Sequence, residues 1–178
     1  MVKFLLLILT LAFVECVSAK NDNCFLEGKY EKFSNNHPLC LFYQGNQYFR
    51  NKKYYEASLK WQRLIKVAPR STKYQNLIIY AHNNLGVVYV NGVGVDLSYR
   101  KALYHLHKAA SLGHAESSYH LCYTYGDKIS LVYSPKKAIP HCERAEIHYS
   151  GMRKSAKLEK TLRVIRQIIR RLKNEKST

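Results

Sequence analysis

Apolar residues recur along the middle of the chain at Tyr74, Leu77, Ala81, Leu85 and Val88, and then at Ala102, Leu106 and Ala109 beside Leu103 and Ala110. Steps of three and four keep one side chain per turn on the same side of a helix, so the pattern predicts two successive amphipathic helices. Gly92-Val93-Gly94 lies between them. Glycine tolerates the left-handed backbone that ends a helix and turns the chain, and Ser98 stands where its hydroxyl caps the second helix. Small Ala and Gly residues at the helix crossing let the two backbones approach, and the large Tyr and Leu residues fill the grooves around them.

The pattern repeats. Ser98-Tyr99-Arg100-Lys101-Ala102 recurs 36 residues later as Ser134-Pro135-Lys136-Lys137-Ala138, and Ala109 recurs as Ala145. In the preceding helices Ala81, Tyr89 and Gly92 match Ala115, Tyr123 and Gly126 at an offset of 34, as if the connecting loop had gained two residues. Pro135 falls at a first helical position, where its missing N–H is harmless. Pro140 falls inside the predicted helix and is expected to kink or break it. Upstream, Gly45, Tyr48, Ala57, Trp61 and Pro69 have the spacing of a tetratricopeptide unit, with Gly45 expected opposite Ala57 and Pro69 stopping the second helix.

The run Ala81-x3-Leu85-Gly86-x2-Tyr89-x2-Gly92-x-Gly94-Val95, followed by Lys101-Ala102 and Lys108-Ala109-Ala110-x2-Gly113-His114-Ala115, resembles the Sel-one-like repeat, a relative of the tetratricopeptide repeat. The following unit departs from it: on the 34-residue alignment His120 replaces the Gly, and Asp127-Lys128 stands where Val-Gly is expected. The resemblance implies an all-α fold, an α-solenoid of about three antiparallel helix pairs. The organisation expected is an N-terminal segment over 20–39, a repeat domain over 40–150 (units at 40–70, 72–114 and 115–150), and a basic amphipathic capping helix over 152–174.

An export signal changes the compartment. Lys3 precedes an uncharged apolar run from Phe4 to Val14, and Val17-Ser18-Ala19 precedes polar Lys20-Asn21-Asp22. That reads as a secretory signal over 1–19 cleaved after Ala19, too short to span a bilayer. The expected protein is secreted or periplasmic, with no spanning segment after cleavage. Four cysteines remain: Cys24, Cys40, Cys122 and Cys142. An even number in an oxidising compartment favours two disulfides, with three pairings open. Cys122 and Cys142 align with Val88 and Leu106, on the facing apolar stripes of one helix pair. Secreted cysteine-rich Sel-one-like proteins use bridges within a repeat, and that resemblance implies Cys122–Cys142, with Cys24–Cys40 as the second.

Several residues carry chemistry in other settings. His120 and His141 flank the cysteines, but residues one or two apart on a helix point to different sides, and no Cys-x2-Cys or His-x3-His occurs. His105 and His107 fail for the same reason, so no metal or other cofactor is expected. Ser98-x-x-Lys101 and Ser134-x-x-Lys137 match the Ser-x-x-Lys signature of penicillin-recognising enzymes. A catalytic serine is needed once and a helix cap in every repeat, so two copies at the repeat period favour capping.

The net charge is +17. Part of it lies in the tail: Leu158, Leu162, Ile165, Ile169 and Leu172 step 4-3-4-3, with Arg163, Arg166, Arg170, Arg171 and Lys173 on the other faces. The stripe predicts a helix that covers the last repeat, and those five cations are the expected contacts for an acidic protein partner or an anionic envelope component. Export and the lack of a nucleic-acid-binding motif argue against nucleic acid. The function expected is a non-enzymatic protein–protein adaptor; similarity to periplasmic Sel-one-like proteins implies roles in envelope maintenance, motility assembly or host interaction. The alternative is a binder of peptidoglycan or acidic polysaccharide through the basic surface, followed by a β-lactam or cell-wall hydrolase.

Overall fold

The computed structural model of the chain describes residues 16–17, 23–26, 29–153 and 155–175. Apart from Cys16 and Val17, the expected signal segment lies outside the described residues. Three short strands come first: β1 (Cys16–Val17), β2 (Asn23–Leu26) and β3 (Lys29–Ser34), antiparallel in the order β1-β2-β3. No periodicity singled out this sheet in the sequence. Cys24-Phe25-Leu26 and Tyr30 to Phe33 offer β-favouring residues without the alternation that marks a strand.

Everything described after it is helix and turn: α1 (Pro38–Arg50), α2 (Tyr54–Val67), α3 (Gln75–Asn91), α4 (Tyr99–Ser111), α5 (Ala115–Gly126), α6 (Pro135–Ser150) and α7 (Ala156–Glu175). The helices pack as hairpins, α1 with α2, α3 with α4 and α5 with α6. Each hairpin also touches the next through α2–α3 and α4–α5. Residues 38–150 thus form the α-solenoid of three helix pairs that the resemblance to the Sel-one-like repeat implied, with α7 closing it against α6 and α5. Ile165, Ile169 and Leu172 of α7 are buried against Leu121, Cys122, Tyr125, Ala138, Cys142 and Ala145, so the helix covers an apolar end that would otherwise face water.

The α3–α4 turn shows why glycine is used. Gly92 ends α3 at φ +61°, and Gly94 has φ +68° with its Cα against the start of α2. A Cβ on Gly94 would come within 2.5 Å of Tyr54 Cβ and 2.6 Å of the Tyr55 nitrogen. Both the dihedral and the space exclude a side chain there.

The repeat register differs from the one expected. Ser98 N–H donates to the Tyr89 carbonyl at 3.0 Å, and Ser134 N–H to the Tyr125 carbonyl at 2.8 Å. Leu85 and Leu121, and Ala102 and Ala138, are equally inaccessible. Equivalent residues are therefore 36 apart in both helices, and the loop gains nothing. Cys122 takes the place of Gly86, not of Val88, and Ser117 that of Ala81. Those two replacements removed the small-residue marks of the true register, while Ala115, Tyr123 and Gly126 matched two positions early by coincidence.

Two further expectations are corrected. Gly45 faces Trp61 rather than Ala57: a Cβ on it would lie 2.5 Å from the indole nitrogen. Pro140 sits inside α6, yet the helix runs on to Ser150. The missing N–H removes only the bond to the Lys136 carbonyl near the helix start, where Lys136 is exposed and solvent is at hand to replace that bond. On either side of it, buried Ala138, Cys142 and Ala145 hold α6 to the core.

Candidate interaction surface

In each hairpin the two helices approach closely at one identifiable pair of residues. In the first, Gly45 meets Trp61; in the second, Gly86 meets Leu106, where a Cβ would lie 2.5 Å from Leu106 Cγ. In the third, Cys122 and Cys142 stand at the same two positions and are bonded, with an S–S distance of 2.04 Å and Cα atoms 4.6 Å apart. Both cysteines are completely buried. Cys40 is also disulfide-bonded. The side chain of Cys24, its expected partner, lies outside the described residues.

Near these crossings the same polar stack appears twice. The His105 ring lies parallel to Tyr89 at 5.9 Å and 8°, and His141 parallel to Tyr125 at 6.1 Å and 15°. Lys101 Nζ sits 5.1 Å from the Tyr89 ring centre and Lys137 Nζ 5.6 Å from that of Tyr125. A lysine–tyrosine–histidine stack at a 36-residue interval is a property of the repeat and joins its two helices by cation–π and ring contacts. His82 Nδ1 and His105 Nδ1 are 2.9 Å apart, so one donates to the other. Burial pushes both down to about 4, with Lys108 adding to the effect at His82, and His82 and Lys101 at His105. As neutral rings, one offers Nδ1–H and the other accepts at a bare Nδ1, its own proton being on Nε2. His107 leaves α4 in another direction and hydrogen-bonds the Tyr125 hydroxyl at 3.0 Å. The separation of His105 from His107 follows the helical geometry, and among the described residues no three His, Cys, Asp or Glu side chains gather as metal ligands would.

Glu116 and His120 approach to 3.9 Å one turn apart on α5. Burial raises Glu116 to about 7 and lowers His120 to about 4, so around pH 6 both are neutral and the contact is not an ion pair. Ser98 does cap α4, its Oγ accepting from Lys101 N–H at 3.4 Å. Ser134 makes no side-chain cap bond, and Pro135 beside it supplies the helix start. Neither serine is placed against a general base by any hydrogen bond found among the described residues.

The five α7 cations divide into two sets. Arg166 pairs with Glu146 at 2.7 Å and Lys173 with Glu143 at 2.8 Å, both across to α6. Arg171 reaches the Gly126 carbonyl at the end of α5 and lies 3.9 Å from Glu175. These three hold α7 to the last hairpin. Arg163 and Arg170 are exposed and have no ion-pair partner among the described residues. With exposed Lys160 they occupy positions 160, 163 and 170, a cationic stripe opposite the buried Ile165 and Leu172. Periodicity revealed the helix and its basic faces, but only the placement of Glu143 and Glu146 on α6, and of the Gly126 carbonyl at the end of α5, separates the anchoring cations from those facing outward.

The Sel1 repeat family model matches residues 79–114, which run from within α3 to the end of the α3–α4 hairpin. The chain carries a Sel1 repeat. No curated protein and no solved structure matches it. Sel1 repeats generally mediate protein–protein interaction, and proteins built from them are typically non-catalytic adaptors. The matched unit is the middle hairpin, flanked by the α1–α2 hairpin before it and by the disulfide-bonded α5–α6 hairpin after it. No helix among the described residues is long and apolar enough to cross a membrane.

Proposed function

We propose that this chain is an exported, non-enzymatic adaptor in which the repeat domain, residues 40–150, and the basic helix α7 packed on its end together present a docking surface to an acidic protein, with residues 1–19 as the cleaved export signal. The observation that carries the reading is the outward stripe of Arg163 and Arg170 on a helix clamped to a Sel1 solenoid. A solenoid supplies area and the stripe supplies charge selection. The buried Cys122–Cys142 bond fits an oxidising compartment, as export requires. The test is site-directed photocrosslinking from position 163 and position 170 in the native compartment. A single acidic protein captured at both positions, and lost on Arg163→Glu with Arg170→Glu, supports the adaptor. Capture unchanged by that charge reversal would dismiss the basic stripe as its docking surface.

The same stripe and the +17 net charge favour one alternative, binding of peptidoglycan or acidic polysaccharide. Salt distinguishes them. Exposed charges lose most of their attraction between low and moderate ionic strength, whereas a packed protein interface retains more.

A further inference from the structure

The eight residues from Asp127 to Ser134 that join α5 to α6 carry two of the most exposed large apolar side chains among the described residues, Ile129 at 86% and Leu131 at 87%. Their exposure is built. Asp127 Oδ1 accepts from Ile129 N–H at 3.1 Å, and Ser130 N–H donates to the Asp127 carbonyl at 3.0 Å. Ser130 Oγ accepts from Val132 N–H at 3.3 Å, and Tyr133 N–H donates to the Ser130 carbonyl at 3.0 Å. Val132 and Tyr133 pack into the core below, and the Tyr133 hydroxyl donates to Glu175 at the end of α7. The backbone is thus fixed on both sides of each exposed side chain, and Ile129 and Leu131 project from a hydrogen-bonded turn.

The surroundings of this tip are basic. Lys128 is next to Ile129 and bonds Glu175 at 2.8 Å with its side chain still 60% exposed. Lys136 shares a surface hollow with Glu175, Lys137 is exposed beside it, and Arg171 is held at the adjacent Gly126 carbonyl. The nearby acids are Asp127, bonded within the turn, and Glu175, bonded to Lys128 and Tyr133. Two aliphatic side chains on a projecting turn, ringed by cations, match the interface of an anionic bilayer: the apolar groups reach the acyl boundary while Lys and Arg meet lipid phosphates. A second copy of this chain would bring like charge to like charge at +17 each, which opposes self-association through this surface.

We propose that the α5–α6 turn is a membrane-docking tip, in which Ile129 and Leu131 insert into an anionic lipid surface and Lys128, Lys136 and Arg171 contact its phosphates. This site is separate from the Arg163–Arg170 stripe and does not depend on the adaptor reading. The test is co-sedimentation of the full, disulfide-bonded chain with vesicles of phosphatidylcholine alone and with added phosphatidylglycerol. Binding is expected only to the anionic vesicles, and Ile129→Ser with Leu131→Ser should weaken it by at least about tenfold while the helical spectrum stays unchanged. In a separate Ile129→Trp variant, indole emission should shift to the blue on the same vesicles; Trp61 is already buried and contributes a constant background. No binding to anionic vesicles at low salt would overturn the proposal. So would serine variants that bind as tightly as the parent, or Arg163→Glu with Arg170→Glu alone abolishing binding. Serine variants that lose a crosslinked protein but keep the vesicles would assign the tip to a protein pocket instead.

Discussion

The second and third hairpins solve one geometric problem in two ways. In α3–α4 the helices meet at Gly86 and Leu106, where one partner gives up its side chain so that the other can fill the gap. In α5–α6 the equivalent positions share the space as two mid-sized side chains and join them covalently. The difference extends outward. Buried residues of α3 include Ile78, Ile79, Ala81, Val87 and Val88, whereas those of α5 include Ser117, Ser118 and Thr124. Ser117 Oγ spends its hydrogen bond on Asn83 Oδ1 of α3 at 2.9 Å, and Ser118 Oγ is buried with no partner among the described residues. The third hairpin has exchanged apolar burial for a crosslink. What the repeat conserves physically is the distance between its helices at that crossing, and the side chains that set the distance are interchangeable.

Removing the crosslink should therefore cost the most. Cys122 and Cys142 are separated by 20 residues, for which the chain-entropy account gives about 3 kcal/mol. Cys122→Ala with Cys142→Ala should lower the melting temperature by about 6–12 °C at ~2–4 °C per kcal/mol for a chain of this size. Hydrogen exchange should show the loss concentrated in α5 and α6, with α1 and α2 still protected. A loss spread evenly over all three hairpins would mean that the bond does not compensate locally for a weak core.

The second hairpin offers the reciprocal perturbation. Gly86→Ala places a methyl 2.5 Å from Leu106 Cγ and 3.3 Å from the Ala102 carbonyl, so the helices must part or Leu106 must leave its rotamer. Overpacking of this kind costs about 1–3 kcal/mol, and Leu106→Ala in the same chain should return less than its usual cavity cost. If the two crossings are equivalent, Gly86→Cys with Leu106→Cys forms a second interhelical disulfide, detectable by peptide mapping without reductant. Two free thiols after oxidation would show that the crossings differ.

Acid sharpens the comparison further, because both hairpins carry the stacked histidines. Burial holds His82, His105, His114, His120 and His141 near pKa 4, against about 6.5 in the unfolded chain. Unfolding takes up protons wherever the pH lies between those values. The stability they confer is complete above about pH 6.5 and is lost as the pH falls toward 4. Glu116, raised to about 7 by burial, has the opposite sign: its contribution is complete below its unfolded value and is lost as the pH rises through 7. One carboxyl offsets only part of five imidazoles, so the melting temperature should drop between pH 6.5 and 4. His105→Gln should remove a share of about 1 kcal/mol or less from that drop, once screening at partly exposed rings is allowed for. A melting temperature flat across this window would mean that the stacks accept protons without cost.

How far these features were legible depended on whether a signal lay along one helix or between two. The helices of the Sel1 unit, their glycine turn and the apolar stripe of α7 each follow from the side chains of one segment, and the sequence displays them directly. The register of the third unit was hidden because Cys122 and Ser117 removed its small-residue signature, and only the bonds of Ser98 and Ser134 to Tyr89 and Tyr125 restore it. The stacks of Lys101, Tyr89 and His105 were unreadable in advance, since the three residues come from two helices and meet only after those pack. The same holds for Arg166 and Lys173, which look identical to Arg163 and Arg170 until Glu146 and Glu143 come opposite them. Nothing in the local sequence around Ile129 and Leu131 says that they point outward.

The smallest expected effect concerns Pro140, the residue that the helical pattern should not have tolerated. A proline well inside a helix costs about 3 kcal/mol relative to alanine, chiefly through the lost N–H bond and the ring's contact with the carbonyl one turn back. Here that carbonyl belongs to Lys136 in the first turn of α6, next to solvent, and Pro140 itself is exposed. Most of the penalty is thus relieved by hydration, and proline also restricts the unfolded chain, which favours the fold by about 0.4–1 kcal/mol. Pro140→Ala should raise stability by roughly 1 kcal/mol or less, measured by urea unfolding with an unchanged slope. In the variant lacking Cys122 and Cys142 the gain should be larger, because α6 is then held without a covalent link and each backbone bond in it counts for more. Equal gains in both backgrounds would show that the disulfide and the helix around Pro140 act independently, and that the crosslink secures the crossing without stiffening α6.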